Sequence, residues 1–584
     1  MGEGALPNNE TIRDELARLI DSEALRRAPS HVRLLRYLVE KRVTGDAVAL
    51  RETSIALEVF RRDPSAYDPR TDPIVRVSIG RLRERLETHY SHYDAPPKVR
   101  IVLPRGSYAP EFVPIAATES AAPGIAVLRT RNASGDPALD ARAAEVADHL
   151  ADRLARAGFP RVIARSSVDQ AQALSGDARG IGARLDVPWL VESTLSREPR
   201  HDLRLSVRLV HASDGGVRWI ESAIAPRDDD RLVERMADLV TLRAFETLPS
   251  GAVPAPSRRH ERLPTPARAA LDRSRLLLLQ RAPAATDEAL ALAESVVAAH
   301  PGTADGWAGV ASALYGHLSF GTVDAASWTA RLREASQRAL ALDPSQPVAL
   351  RTLAIVVGKG DHDFEAAELL FTRALAAAPH YTSARLNYAE LLALSGRHAD
   401  AEVELNLARL HDPLSASVHL AYAVLYGYAR RRGDARAAWS LCRAAGDTSA
   451  WVQLGEASNE LADGHAMLAS TMIDEAARRL PELPAVLVSL AVVRATQGDA
   501  AGALTLEREC AARFPHYSPA QRAVPAAWRG DHAQVLALIG EALDTRDLEL
   551  LAATLDPAFD TYAGESAFEA LRARSPIWAR RAMR

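Results

Sequence analysis

Four arginines lie within residues 72–90, a segment that also carries a regular aliphatic stripe. At about 100° per residue, a helix would gather the stripe on one face, and its members are Val75, Ile79, Leu82 and Leu86. The polar residues outside the stripe are Arg76, Ser78, Arg81, Arg83 and Arg85. Arginine forms bidentate hydrogen bonds with phosphates and with guanine edges. The segment is therefore either a helix that binds an anionic surface or an ordinary helix with a solvated charged face.

The charge distribution favours a local anionic partner. Residues 11–112 contain 19 lysines and arginines against 15 aspartates and glutamates, a net charge of +4, whereas the whole chain carries -4. A basic N-terminal unit on an acidic body is typical of local binding to an anion.

Other chemically capable residues lack a catalytic arrangement. No G-x-x-x-x-G-K-[ST] phosphate loop occurs, and SGDARGIGAR (175–184) predicts only a turn and a helix start. His89 and His92 stand together, but no further metal ligand follows at a workable spacing. We expect no enzyme activity, no cofactor and no metal.

A 34-residue period organises the C-terminal half of the chain. The recurring positions are Pro379, Pro413, Pro481 and Pro515; Ala389, Ala423, Ala457 and Ala491; Ala401, Ala435, Ala469 and Ala503; and Ala408, Cys442, Ala476 and Cys510. Small residues on this period mark the close contacts of tetratricopeptide helix pairs. We expect about seven repeats between residues 266 and 515, and then a helical cap. Both cysteines occupy an alanine position, which favours small core residues over a redox pair.

Two further blocks precede the repeats. Residues 11–112 read as helices followed by a β-hairpin, with Ser30 as a helix N-cap and a turn at Pro104–Gly106. Residues 123–250 alternate strands and helices, and SDGG (213–216) predicts a hairpin turn. A short small-residue linker and a proline-rich linker separate the three blocks.

The first block resembles the DNA-binding domain of OmpR/PhoB-type response regulators. The resemblance lies in VRVSIGRLRERL and VRIVLPRGSYAPEF, and it covers Val75, Val77, Ile79, Leu82, Arg83, Leu86, Arg105, Gly106 and Tyr108, with Ser107 where the family has x-G. It implies a winged helix whose segment 72–90 enters the major groove. By this resemblance Arg81 and Arg83 face DNA beside Ser78, Arg105 lies on the wing, and Arg76 and Arg85 contact phosphates. A structural ion pair of Arg83 is the alternative.

The second block resembles the TolB N-terminal-like domain of bacterial multidomain regulators. The stretches are IAVL, RVIARSS, GARLDVPWLVESTLSRE and LRLSVRLVHASDGGVRWIES. In such regulators a winged helix precedes this domain and tetratricopeptide repeats. The expected fold is thus multidomain: a winged helix-turn-helix at 11–112, a small α/β TolB-like domain at 123–250, and an all-α tetratricopeptide-repeat solenoid with its cap at 266–584.

These resemblances imply a transcription regulator that binds double-stranded DNA and senses a protein or peptide partner. A single winged helix of modest charge binds weakly, so we expect a homodimer on tandem half-sites. Without a signal sequence or a long apolar run, we expect a cytoplasmic protein and no membrane partner. The alternative is an interaction scaffold whose winged helix is a docking module. The acidic residues that favour it are Asp63, Asp68, Asp72, Glu84 and Glu87.

Overall fold

The computed structural model forms two compact units, Met1–Ala122 and Pro123–Arg584, which we describe separately. The described residues are 9–22, 25–26, 28–44, 46, 49–63, 67–68, 72–91, 99–103, 108–114, 124–198, 202–226, 231–247, 263–447, 449–480 and 483–581.

The first unit places helices before a two-stranded antiparallel hairpin, in the predicted order. Its elements are α1 (Asn9–Asp21), α2 (Pro29–Val43), α3 (Glu52–Glu58), α4 (Ile74–Ser91), β1 (Val99–Val102) and β2 (Glu111–Pro114). The predicted aliphatic stripe of α4 is buried in the core of this unit. The N-cap prediction for Ser30 is wrong, because Pro29 already occupies the first turn of α2 and Ala28 is the cap residue. The predicted turn at residues 104–106 lies outside the described residues.

The second unit begins with an α/β domain. Its strands are β3 (Gly124–Val127), β4 (Arg131–Asn132), β5 (Arg161–Val162), β6 (Trp189–Arg197), β7 (Leu203–His211) and β8 (Val217–Ala225). They form one mixed sheet of order β5-β3-β6-β7-β8, with β4 also paired to β6. The helices are α5 (Asp140–Arg156), α6 (Arg165–Leu174), α7 (Ala178–Leu185) and α8 (Arg231–Thr247). Helices α5 and α8 pack in one apolar cluster, and α6 and α7 pack in another.

Antiparallel helix pairs make up the remainder. The helices are α9 (Thr265–Leu278), α10 (Pro283–Ala299), α11 (Ala304–Phe320), α12 (Ala325–Leu342), α13 (Pro347–Ile355), α14 (Phe364–Ala377), α15 (Thr382–Leu394), α16 (His398–His411), α17 (Ala416–Tyr428), α18 (Arg432–Ala444), α19 (Ala450–Ala462), α20 (Ala466–Arg479), α21 (Pro484–Thr496), α22 (Ala500–Arg513), α23 (Pro519–Trp528), α24 (His532–Asp544), α25 (Leu550–Ala553), α26 (Ser566–Ala573) and α27 (Pro576–Arg581). Every alanine and cysteine of the recurring positions is at most 2% exposed. This burial explains the period, because paired helices approach closely only where side chains are small.

The helix pairs wind into a superhelix whose early and late members touch. Arg546 Nη1 lies 2.9 Å from Asp361 Oδ1, and Lys359 Nζ lies 3.5 Å from Glu549 Oε1. A Cβ atom added to Gly321 would lie 2.4 Å from the Tyr517 ring, so only glycine permits this approach. The superhelix therefore closes on itself. No helix in the described part of the chain has both the length and the apolar character needed to cross a membrane.

Candidate functional site

The arginines predicted to face DNA differ in their surroundings. Arg81 is exposed on α4 and forms no ion pair with the described residues. Arg83 is half-buried, and its Nε donates to the carbonyl of Leu103 at 2.8 Å, which fixes it against the end of the hairpin strand. Arg85 and Ser78 are half-buried. Arg105 lies outside the described residues.

Arg76 belongs to a small network with Glu52 and Tyr108. Its Nε lies 3.4 Å from Glu52 Oε1, and the Tyr108 hydroxyl donates to Glu52 Oε2 at 2.9 Å. Burial, followed by Glu52, raises the pKa of Tyr108 to about 12, so this hydroxyl stays protonated. Arg76 is thus held by an acid of its own unit.

The charge of α4 also acts on a neighbouring histidine. Burial lowers the pKa of His31, and Arg85 and Arg81 lower it further. His31 is therefore neutral at neutral pH and adds no positive charge beside Arg81 and Arg85.

A large cavity lies inside the superhelix. This superhelix cavity has a volume of about 3010 Å³ and is lined by helices from the first to the last repeats and by one edge of the α/β domain. Residues facing it include Tyr315, Arg351, Asn387, Tyr428, Trp451 and Asn459. The sequence predicts a protein or peptide partner on the concave repeat surface, but it does not single out these residues, since they come from separate repeats.

Arg351 is the most unusual residue of the cavity wall. Its side chain is only 7% exposed, yet it forms no salt bridge with any carboxylate among the described residues. Nη1 donates to Asn387 Oδ1 at 3.0 Å and Nη2 donates to Ser312 Oγ at 3.1 Å, while Nε is buried without a partner there. A buried charge is costly unless it is compensated. Arg351 thus keeps an uncompensated guanidinium at the cavity wall.

Lys359 is another cation of the cavity wall, and unlike Arg351 it has carboxylate partners. The chain departs from α-helical geometry after α13, with a π-helical segment at Val356–Gly360, and such segments are frequent at functional sites. Lys359 Nζ contacts Glu390 at 3.1 Å and Glu549 at 3.5 Å. Burial lowers the pKa of Lys359, but the two glutamates outweigh burial and hold the pKa above its ordinary value. Lys359 is therefore charged and already compensated.

An unpaired carboxamide faces the same cavity. Asn459 on α19 is 5% exposed, and neither Oδ1 nor Nδ2 has a partner among the described residues. A buried carboxamide without partners costs free energy.

The α/β domain is fixed to the repeats through the turn after α16. The amide of Ala164 donates to the carbonyl of His411 at 2.8 Å, and Arg161 Nε donates to the carbonyl of Leu410 at 3.0 Å. Ser166 Oγ donates to Asp412 Oδ1 at 2.7 Å. Asp412 is buried, and burial raises its pKa although serine hydrogen bonds oppose the shift. These contacts join the α/β domain and the repeats into one compact unit.

A buried histidine pair lies in the same interface. His380 Nδ1 and His411 Nδ1 are 2.9 Å apart. Burial, followed by Arg385, lowers the pKa of His380 to about 4. Burial, followed by His380 and Arg385, lowers that of His411 to about 3. Both imidazoles are therefore neutral at neutral pH.

One cluster in the described residues brings metal-ligand atoms close together. Glu460, Asp463 and His465 approach one another. Arg436 donates to Glu460 at 2.7 Å and to Asp463 at 2.6 Å, so the two carboxylates share one guanidinium.

Comparison with known proteins identifies the repeats. The tetratricopeptide repeat family matches residues 360–425. Together with the alanine period and the helix pairs, this match shows that the chain contains tetratricopeptide repeats. No curated protein matches the sequence.

Several solved structures match parts of the chain. A tetratricopeptide repeat protein from Parabacteroides merdae has 11% identity, covers 42% of this chain and 93% of its own, and gives a TM-score of 0.30. The human IFIT1 dimer with PPP-AAAA has 15% identity, covers 53% and 72%, and gives 0.39. YrrB, a TPR protein with an unusual peptide-binding site, has 15% identity, covers 33% and 97%, and gives 0.21.

Proposed function

We propose that this chain is a protein-interaction scaffold whose superhelix encloses an extended segment of a partner protein. The cavity volume of about 3010 Å³ carries the proposal. Small-molecule sites typically occupy about 300–1,000 Å³. A space several times larger, lined by successive repeat helices, suits a polypeptide segment.

The chemical character of the wall supports a peptide. Trp451, Tyr315 and Tyr428 offer apolar and aromatic surface, while Asn387 and Asn459 offer amide groups. An extended peptide requires apolar surface to bury its side chains, and it requires amide groups as hydrogen-bond partners for its backbone.

Filling the cavity tests this function. Gly427 on α17 faces the cavity, and a Cβ added there meets nothing within 4 Å. Gly427→Phe should fold and should reduce capture of peptides from a synthetic pool of random decapeptides by the immobilised full chain. Gly433→Phe is the matched control, because Gly433 on α18 has equally open space but does not line the cavity. Equal capture by both variants and the native chain would exclude the cavity as the binding site.

DNA binding by the first unit is a second candidate function. It is favoured by exposed Arg81 on α4, a helix whose aliphatic stripe is buried and whose polar side carries Arg85. Under this candidate α4 is the recognition helix of a winged helix-turn-helix in a transcription regulator, and phosphate contacts supply most of the affinity. The α/β domain would then be the TolB-like part of that regulator.

Fluorescence anisotropy of the full chain with duplex DNA tests this candidate. Arg81→Ala combined with Arg85→Ala should weaken binding at least about tenfold, because each lost charged contact is worth about 1 kcal/mol or more. Arg13→Ala, an exposed position on α1, is the control. Affinity that is unchanged in the double variant and insensitive to salt would refute DNA recognition by α4.

A further inference from the structure

Strand β8 forms one edge of the mixed sheet and is exposed over most of its length. Its nine residues, Val217–Ala225, pair only with β7 within the described part of the chain. Ile220 is 63% exposed, and Ile224 and Val217 are 48% and 43% exposed. An edge strand presents backbone N–H and C=O groups that can pair with a further strand. The outer side of β8 therefore offers a place for one more strand.

The centre of this edge lacks the features that usually prevent association between sheets. Such features include proline, lysine, bulges and unpaired charges. β8 contains neither proline nor lysine, and an irregularity in its register with β7 lies at its beginning, away from the centre. Its two charged residues have partners in their own domain. Arg218 Nη2 donates to Asp214 Oδ2 at 2.9 Å, and Glu221 Oε1 accepts from Arg243 Nε at 3.0 Å.

The exposed isoleucines lie on the open face of the sheet. Side chains alternate between the two faces of a strand, so Ile220, Ser222 and Ile224 share one face. Trp219 and Ala223 belong to the opposite face and pack in the apolar cluster of α5 and α8. The isoleucines therefore face away from these two helices. A strand beside β8 would cover part of both side chains.

We propose that β8 pairs antiparallel with β8 of a second copy of this chain, about a two-fold axis that passes through Ser222. A two-fold axis perpendicular to the sheet makes the same strand the partner in both copies and keeps each residue on its own face. Ile220 then lies opposite Ile224 of the second copy, and Ile224 lies opposite Ile220. Cross-strand pairs of β-branched side chains stabilise a sheet. The two sheets become one continuous sheet.

Other registers of the same pairing fit the side chains less well. An axis at Glu221 places the two Glu221 carboxylates directly opposite each other, and like charges in that position are destabilising. An axis at Ile220 leaves Ile224 opposite Gly216, which has no side chain to pack. Within the strand, the axis at Ser222 pairs both isoleucines with isoleucines and places no like charges opposite each other. The edge is thus complementary to itself, which favours a second copy over an unrelated strand.

The inference goes beyond peptide enclosure and does not depend on it. No residue of β8 lines the superhelix cavity in the described part of the chain. Pairing through β8 therefore leaves the cavity wall unchanged in each copy. Loss of self-association and loss of peptide capture are separate results.

Sedimentation velocity of the full chain over a wide range of concentration tests the proposal. The native chain should show a reversible equilibrium between monomer and dimer. Ser222→Lys and Ser222→Glu each place two like charges opposite each other at the axis, so each should weaken the dimer at least about fivefold. An equal mixture of the two variants should restore association, because opposite charges then meet at the axis. No other position of the axis predicts this restoration at residue 222.

Ser206→Lys is the matched control. Ser206 lies directly opposite Ser222 on β7 and on the same face, but one strand inside the edge. The control should associate as the native chain does, and circular dichroism verifies the folding of every variant. A native chain that is monomeric at every concentration would overturn the proposal. An unweakened Ser222→Lys dimer, a Ser206→Lys dimer weakened to the same extent, or a mixture that fails to associate would also overturn it.

Discussion

Two arginines on nearby helices of the repeats differ in the partners of their guanidinium groups. These partners determine whether the charge stabilises the fold. Arg351 on α13 has neutral partners, as described above. Arg385 on α15 is also mostly buried, but its Nη1 lies 2.7 Å from Glu404 Oε2, with side-chain exposures of 13% and 17%. The charge of Arg385 contributes to the fold, whereas that of Arg351 costs stability and is available to a ligand.

Methionine substitutions at these two sites should therefore change stability in opposite directions. Arg351→Met should raise the free energy of unfolding by about 1 kcal/mol, because it removes an uncompensated buried charge. Arg385→Met should lower it by about 3 kcal/mol, because Glu404 is left buried and unpaired. Urea denaturation followed by circular dichroism measures both. Substantial destabilisation by Arg351→Met would mean that its charge serves the fold.

Arg351 could not be found from the sequence. Its partners Asn387 and Ser312 lie 36 and 39 residues away, so no local spacing connects them. The arginines of α4 could be proposed because they share one helix with an aliphatic stripe. The sequence could not predict the hydrogen bond from Arg83 to the carbonyl of Leu103, because only the fold brings that strand close to α4.

At the level of elements, small residues set the spacing of the repeat helices. Ala503 is fully buried on α22, and Ala501 on the same helix is exposed. The two positions share helix, residue type and sequence neighbourhood. They differ in whether a neighbouring helix packs on the methyl group.

Leucine substitutions at these two alanines should distinguish the effect of helix packing on stability from the effect of helix propensity. Ala503→Leu should lower the free energy of unfolding by about 1–3 kcal/mol through overpacking. Ala501→Leu should change it by less than about 0.5 kcal/mol, since leucine is also a good helix former. Differential scanning calorimetry would measure both. Equal effects at the two positions would contradict the role assigned to the alanine period.

The 34-residue period predicted repeats between residues 266 and 515, and helix pairs continue beyond the end of that period. Helices α23 and α24 form another antiparallel pair in the region expected to be only a cap. The position one period after Ala491 is Pro525, inside α23, so that alanine position does not recur there. The pattern is lost there although the fold continues. None of the recurring positions of the 34-residue period predicts the π-helical segment at Val356–Gly360.

At the level of the whole second unit, the α/β domain and the repeats share a polar interface. Ser166 and Asp412 meet across 246 residues of sequence, and His380 and His411 lie beside them. The order of the three blocks could be read from linkers and resemblances. This docking could not, because no pattern relates α6 to the turn after α16.

The histidine pair should make the stability of this unit fall in mild acid. In the folded state the pKa values are about 4 for His380 and about 3 for His411. Unfolded histidine titrates near about 6.5, so the unfolded chain binds protons first as the pH falls. The contribution is complete above about pH 7 and is lost between about pH 6.5 and the folded pKa values of about 4 and about 3, at about 1.4 kcal/mol per unit of pKa shift for each histidine.

Melting temperatures of the full chain from pH 7.5 to 5 measure this effect. The double variant His380→Gln and His411→Gln should show a smaller decline than the native chain. His516→Gln, at an exposed position, should follow the native curve. Parallel curves for the native chain and the double variant would exclude the pair as a source of acid sensitivity. Arg385, Arg161 and Asp152 face the pair and remain in every protein compared.

Photo-crosslinking from within the superhelix tests the central claim most directly. A benzophenone side chain would replace Gly427, which faces the cavity, or Gly433, which does not. A single synthetic peptide retained by the native chain would be supplied, and mass spectrometry would locate its crosslinks. Peptide enclosure predicts crosslinks from position 427 and none from position 433. Crosslinks from 433 alone, or equally from both, would contradict it.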